Sequence, residues 1–207
     1  IVGNDGPTHH GVFDISFMRS IPGMIVTAPK NGNEMYNLIH LAIKENLMLS
    51  IRYPKANTSF DLTTSNEEIS IGTWEVLLKG SRVCILTFGS MISNAIKVAK
   101  INENNVTVVN CRFIKPIDEK LLNKLISQHD FFITIEEGII SGGFGSSILH
   151  YIHNLRNKRV STKIYNICFP DYFVNHAPPE YQYKSIDMDS QGIEKKVFEI
   201  LDKNSSH

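Results

Sequence analysis

Seven consecutive residues near the start of the chain, Asp5-Gly6-Pro7-Thr8-His9-His10-Gly11, gather a carboxylate, a hydroxyl and two imidazoles between glycines, just before a predicted helix. Glycine lets the backbone approach a ligand closely, and His with Asp supplies hydrogen bonds and proton transfer near neutral pH. Adjacent histidines point to different sides of most loops, so at most one of the two faces a site. No third ligand follows at a metal-binding spacing, which argues against a metal centre. The alternative is a solvated loop in which Thr8 or Asp14 caps the helix. A second candidate, Arg52-Tyr53-Pro54-Lys55, sits where a strand ends. Its two cations suit a phosphate, Arg as a fork and Lys as a point charge; the alternative is a pair of surface cations beside a proline stop. A third, Glu136-Glu137-Gly138 through Gly142-Gly143-Phe144-Gly145-Ser146, joins a strand to a helix. It fits neither the dinucleotide fingerprint nor the P-loop, whose Lys is missing, and paired acids repel phosphate. It reads as a tight crossover in which glycine permits close packing, with the glutamates free for a subunit contact.

These strings lie at the junctions of a strand–helix–strand alternation. Hydrophobic runs predict strands over 24–27, 49–53, 74–78, 83–88, 106–113, 131–135 and 163–169. Helical spacing predicts helices over 11–20, 31–45, 90–101, 118–127, 145–155 and 191–201, with Ser90 or Ser93 and Asp118 as caps. Such a rhythm implies an α/β fold with an open, mostly parallel sheet covered by helices on both faces, where ligands collect at the carboxyl ends of strands. The polar run 55–70 is the best candidate for an interdomain linker.

Composition limits the function classes. The chain has 207 residues, 42% hydrophobic, with 21 basic and 21 acidic side chains. Zero net charge supplies no field for non-specific nucleic-acid binding, and no apolar run reaches a membrane span. Cys84, Cys111 and Cys168 are far apart in apolar stretches, which reads as reduced core thiols in a reducing compartment. The chain opens on Ile1 in a loop-like run, as a piece cut from a longer protein would. Asn, Ile and Lys are abundant against 6 Arg, a bias of A/T-rich codons.

Taken in order, these strings resemble the carboxyl-terminal third of the 1-deoxy-D-xylulose-5-phosphate synthase family, thiamine-diphosphate enzymes of the transketolase superfamily. The likeness rests on residues 3–11 with Phe13-Asp14 and Ile21-Pro22-Gly23-Met24, then Arg52-Tyr53-Pro54, Phe88-Gly89 and Arg112-Phe113-Ile114-Lys115-Pro116-Ile117-Asp118. Thr134-Ile135-Glu136-Glu137-Gly138, the glycines that follow it, and Pro170-Asp171 complete it. The resemblance implies that residues 1–60 end a pyrimidine-binding α/β domain, 61–80 link, and 81–207 form a three-layer α/β/α carboxyl-terminal domain. It implies a transferase that condenses pyruvate, with decarboxylation, and D-glyceraldehyde 3-phosphate, in the non-mevalonate isoprenoid route that also feeds thiamine synthesis.

By the same resemblance, Asp5 and His9 are the catalytic and substrate-contacting residues. Lys55 binds the substrate phosphate where the family has Arg, keeping the charge but losing the bidentate fork. His10 receives no catalytic role. Thiamine diphosphate and Mg²⁺ are the implied cofactors, most of their binding residues belonging to an upstream portion of the protein, with no metal ligand on this chain. The implied partners are the two substrates, that upstream portion and a second copy in a homodimer, with no nucleic acid and no membrane; the piece alone is expected to be inactive. Other readings are transketolase itself, the β subunit of a 2-oxoacid dehydrogenase, or a non-catalytic dimerisation or regulatory module. The codon bias suggests a plastid-like organelle, and the cytoplasm if the source is bacterial.

Overall fold

The computed structural model describes residues 1–58, 68–102, 104–155 and 162–203. The short helix α1 (Asp14–Ser20) precedes β1 (Ile25–Thr27), α2 (Gly32–Lys44) and β2 (Leu49–Ile51). Asn31 caps α2, its side chain accepting from Glu34 N at 3.0 Å. The next elements are β3 (Glu75–Leu78), β4 (Val83–Thr87), α3 (Ile92–Ile101), β5 (Val106–Asn110) and β6 (Phe113–Lys115). They are followed by α4 (Glu119–Ile126), β7 (Phe131–Ile139), α5 (Phe144–Asn154), β8 (Lys163–Phe169), α6 (Pro179–Ser185) and α7 (Ser190–Lys203). Two sheets result, β2-β1-β6 and β3-β5-β4-β7-β8. In the larger, β5, β4, β7 and β8 are parallel and only the edge strand β3 is antiparallel. Every residue of β4 and β5 is buried, which is why their sequences are nearly unbroken apolar runs instead of alternating ones.

Several expectations shift in instructive ways. The run 106–113 is not one strand. It leaves the large sheet after Asn110, and β6 pairs antiparallel with β1 in the small one. The strand expected over 74–78 is present as β3, which hydrogen-bonds along β5; residues 59–67 of the expected linker lie outside the described residues. Neither Ser90 nor Ser93 caps α3, which starts after Met91 without a side-chain cap. Asp118 does cap α4, accepting from Leu121 N at 2.8 Å. Helix α6 escapes the hydrophobic pattern because it is short and mostly exposed, yet Pro178-Pro179 before Glu180 is a helix-start signal. Cys84 and Cys111 are buried and Cys168 is half-buried; all three are free, and burial pushes their thiols up, away from the reactive thiolate.

The two sheets are joined by a buried ion pair as well as by β6. Glu34 of α2 and Arg112 between β5 and β6 are almost fully buried, with Arg112 Nη1 3.3 Å from Glu34 Oε1. Glu34 also accepts from Asn110 Nδ2 at 2.8 Å and Lys30 N at 2.6 Å, while Arg112 Nε donates to the Thr73 carbonyl at 3.0 Å. Burial pushes the Glu34 carboxyl up, and the Lys30 amide with Arg112 opposes it. Removing one member of a buried pair strands the other's charge in a low dielectric. Glu34→Ala should therefore cost about 3–5 kcal/mol, read as a lower denaturation midpoint; an unchanged midpoint would show that the two sheets do not depend on this pair.

Candidate active site

The carboxyl ends of β1, β2 and β4 open on one cleft of about 270 Å³, as parallel-sheet architecture favours. His9, Asp14, Arg52, Lys55, Ser90 and Glu137 are among its lining residues. The loop before α1 lies across it. His9 is exposed at the cleft, and Thr8 Oγ1 lies 2.9 Å from its Nδ1. That contact occupies one ring nitrogen and leaves Nε2 as the one available to a ligand. His10 turns the other way and is buried against the Phe169 ring, so the two histidines separate as a tight loop requires.

Lys55 lines the cleft and its ammonium pairs with the Asp5 carboxylate. His9 and Lys55, 46 residues apart in sequence, both line this cleft; Asp5 is not among its lining residues and is tied to it through Lys55. Arg52 behaves differently from the expected phosphate fork. Its Nε donates to Asp14 Oδ2 at 2.7 Å, and Nη2 donates to the carbonyls of Gly11 and Glu137 at 2.8 and 2.9 Å. A guanidinium so committed holds the wall together, and Lys55 is left as the cation at the rim. Asp14, expected as a cap, accepts from Ile15 N and from Arg52 instead.

Three functional-looking groups escaped sequence reasoning. The Glu137 carboxylate is a buried hub that accepts from Ser90 Oγ and from Tyr183 OH at 2.7 Å. Burial disfavours the charged form of Glu137, and the Arg52 guanidinium favours it. Burial and the neighbouring Glu137 push the Tyr183 hydroxyl up, so it stays a donor.

The neighbouring Glu136 is fully buried and serves no subunit contact. Its two oxygens accept from Phe144 N and Gly145 N, both at 2.8 Å, and so cap α5 from the adjoining strand. Burial raises its carboxyl, against the pull of those two amides. Gly145 gives the close approach, since a Cβ there would lie 2.5 Å from Asn166 Oδ1 and 2.7 Å from Thr134 Oγ1. Among the described residues no three His, Cys, Asp or Glu side chains gather as metal ligands, and none of the helices is long and apolar enough to cross a membrane.

Residues 1–60 match the family model described as transketolase, pyrimidine binding domain, and residues 72–193 match that described as transketolase, C-terminal domain. The chain belongs to the transketolase family. It is similar to proteins named 1-deoxy-D-xylulose-5-phosphate synthase from Aquifex aeolicus (38% identical, 97% of this chain, 32% of the relative) and Listeria welshimeri (41%, 97% and 32%). A third such relative, from Haemophilus influenzae, is 35% identical over 100% of this chain and 32% of its own length. The chain therefore spans about a third of these curated relatives. Two solved structures share the fold. A split-gene transketolase described as an inactive beta4 tetramer superposes with a TM-score of 0.83 at 21% identity, over 94% of this chain and 63% of the other. A transketolase mutant from Pichia stipitis in complex with fructose 6-phosphate gives 0.72 at 16% identity, over 99% and 29%.

Two measurements check this transketolase-type site. Glutamine at position 136 offers one oxygen and one amino group to two N–H donors, so Glu136→Gln should cost about 1–3 kcal/mol in a denaturation experiment, and no loss would remove the cap. Hydrogen bonding to Lys55 holds the Asp5 carboxyl below its ordinary range. A lowered folded value means that the contribution of the pair is complete above the unfolded value, about 3.9, and is lost as pH falls through the lower one. An NMR titration should find Asp5 below about 3.9 and return it there in Lys55→Ala; an Asp5 midpoint unmoved by that change would dissolve the pair.

Proposed function

We propose that this chain is the carboxyl-terminal part of a 1-deoxy-D-xylulose-5-phosphate synthase that condenses pyruvate, with loss of CO₂, and D-glyceraldehyde 3-phosphate. Residues 1–60 finish the pyrimidine-binding domain, 61–80 connect, and 81–207 are the carboxyl-terminal domain. The observation that carries the reading is the meeting of His9 and Lys55 on one cleft wall with Asp5 bound to Lys55. The similarity to synthases along nearly the whole chain supports it.

Each residue has chemistry that suits its place. Lys55 is a mobile point charge at the mouth, matched to a phosphate that reaches it from solvent. Nε2 of His9 meets the acceptor carbonyl and donates a proton to the oxygen on which negative charge develops. Asp5 accepts from a substrate hydroxyl while sharing Lys55, so the two ends of a three-carbon phosphorylated aldehyde are read together. Arg52 keeps these groups in register through Asp14, Gly11 and Glu137.

Thiamine diphosphate and Mg²⁺ complete the site in the whole enzyme. The cleft offers a lysine, an arginine and an imidazole, which suit a monophosphate. The cofactor's binding groups are assigned to the upstream portion, and the site is assembled in a homodimer in a plastid-like organelle, or in the cytoplasm of a bacterial source. The chain alone is catalytically inert, in keeping with the inactive state given for the split-gene transketolase of the same fold.

The test uses the full-length protein with both substrates. His9→Ala should lower kcat by roughly 10²–10⁴, and Lys55→Ala should raise KM for glyceraldehyde 3-phosphate while leaving KM for pyruvate in place. Full turnover by His9→Ala, or by residues 1–207 alone, would end the proposal.

A further inference from the structure

The loop that carries Asp5 and His9 is gripped from behind by a segment far away in sequence. We infer that His10 and Gln182 are positioning residues: together they clamp the loop of residues 3–10 onto the stretch after β8 and so set where His9 stands in the cleft and Asp5 beside Lys55. The inference rests on the reading that those two residues serve the acceptor substrate.

Gln182, in α6, is almost wholly buried. Its amide nitrogen donates to the carbonyls of Gly3 at 3.1 Å and Asn175 at 2.7 Å, which uses both hydrogens and ties the front of the loop to the carboxyl-terminal segment. The amide oxygen finds no donor among the described residues, so the side chain is held by its tether to the loop and not by a wider network. His10 holds the back. Its Nδ1 accepts from Val2 N at 3.2 Å, and its ring packs edge-on against Phe169 at the end of β8, centroids 6.3 Å apart. An Nδ1 that accepts from an amide leaves the proton of the neutral ring on Nε2, and burial favours that neutral form. The 3.4 Å approach of His10 Nε2 to Gln182 Nε2 is then a contact between two donors and not a bond.

The backbone is fitted to the same grip. Gly3 and Gly6 both take positive φ, +63° and +73°. A Cβ on Gly3 would press on Pro179 Cδ at 3.1 Å, and one on Gly6 would overlap the His176 ring. His176 and Pro179 lie within the same stretch, 174–182, that supplies Asn175 and Gln182, so the loop is seated against it at both Gly3 and Gly6. Rigid support of this kind is how a remote residue controls a reacting group, since displacement by about 1 Å costs up to a hundredfold in rate.

The experiment compares Gln182→Met, His10→Leu and His10→Asn in the full-length protein, with His9→Ala alongside. Asparagine keeps an acceptor near the place of Nδ1. The expected result is a KM for glyceraldehyde 3-phosphate raised roughly tenfold or more in Gln182→Met and His10→Leu. KM for pyruvate should stay fixed, and His10→Asn should recover most of the loss. Amide exchange should quicken at residues 3–10 and stay unchanged in β7. An unchanged acceptor KM while His9→Ala is inactive overturns the clamp and leaves the site reading intact, as do equal changes in both KM values. A fully active His9→Ala overturns the site reading itself, and loop exchange then decides the clamp alone. Should Gln182→Met fail to fold, the two His10 variants carry the test by the same measurements.

Discussion

One guanidinium organises the cleft. Arg52 follows β2 and binds the carboxylate of Asp14 at the start of α1, the carbonyl of Gly11 in the loop, and the carbonyl of Glu137 in β7. Two segments distant in sequence, residues 11–14 and Glu137, are thereby fixed around a single planar fork, a task that a lysine's point charge performs poorly. With Arg52 committed, Lys55 three residues on is the cation left at the mouth. The division of labour follows from depth: the shallow lysine stays solvated and adaptable, while the deeper arginine is surrounded by acceptors it can satisfy.

Around that fork the two sheets are locked at separate points. Glu34 with Arg112 joins α2 to the end of β5 in the interior, and β6 crosses over to pair with β1. On the opposite side Glu136 caps α5, and Arg19 of α1 donates to the carbonyl of Gly143 in the same crossover at 2.6 Å. Buried charges recur at these joints and each is matched by several donors or acceptors, which is the condition for tolerating them in a low dielectric. The cleft is therefore built from elements whose mutual placement is fixed by polar locks, within a core that is otherwise apolar.

Much of the architecture was legible because it rests on local chemistry. The parallel strands β4, β5, β7 and β8 announce themselves as apolar runs, and Asp118 and Asn31 cap helices by contacts three residues away. What misled was always a competing long-range partner. Ser90 is a good cap by type, but its hydroxyl goes to Glu137. The run 106–113 carries Asn110 and Arg112 where the chain changes sheets, and their partner Glu34 lies more than 70 residues away in sequence. Glu136 and Glu137 read as a repulsive surface pair, yet one meets a helix start and the other a ring of donors.

The sequence by itself determined the α/β rhythm, the neutral and thiol-reduced character of the chain, the concentration of Asp5 and His9 in one loop, and the likeness to the synthase family. Those are consequences of residue type and near-neighbour spacing. Only the tertiary structure decided that His9 faces the cleft while His10 faces the interior, that Arg52 braces and Lys55 is the cation left at the rim, and that Gln182 reaches back 179 residues to the carbonyl of Gly3. Each depends on which distant donor or acceptor arrives within hydrogen-bonding distance, and spacing along a chain carries no record of that.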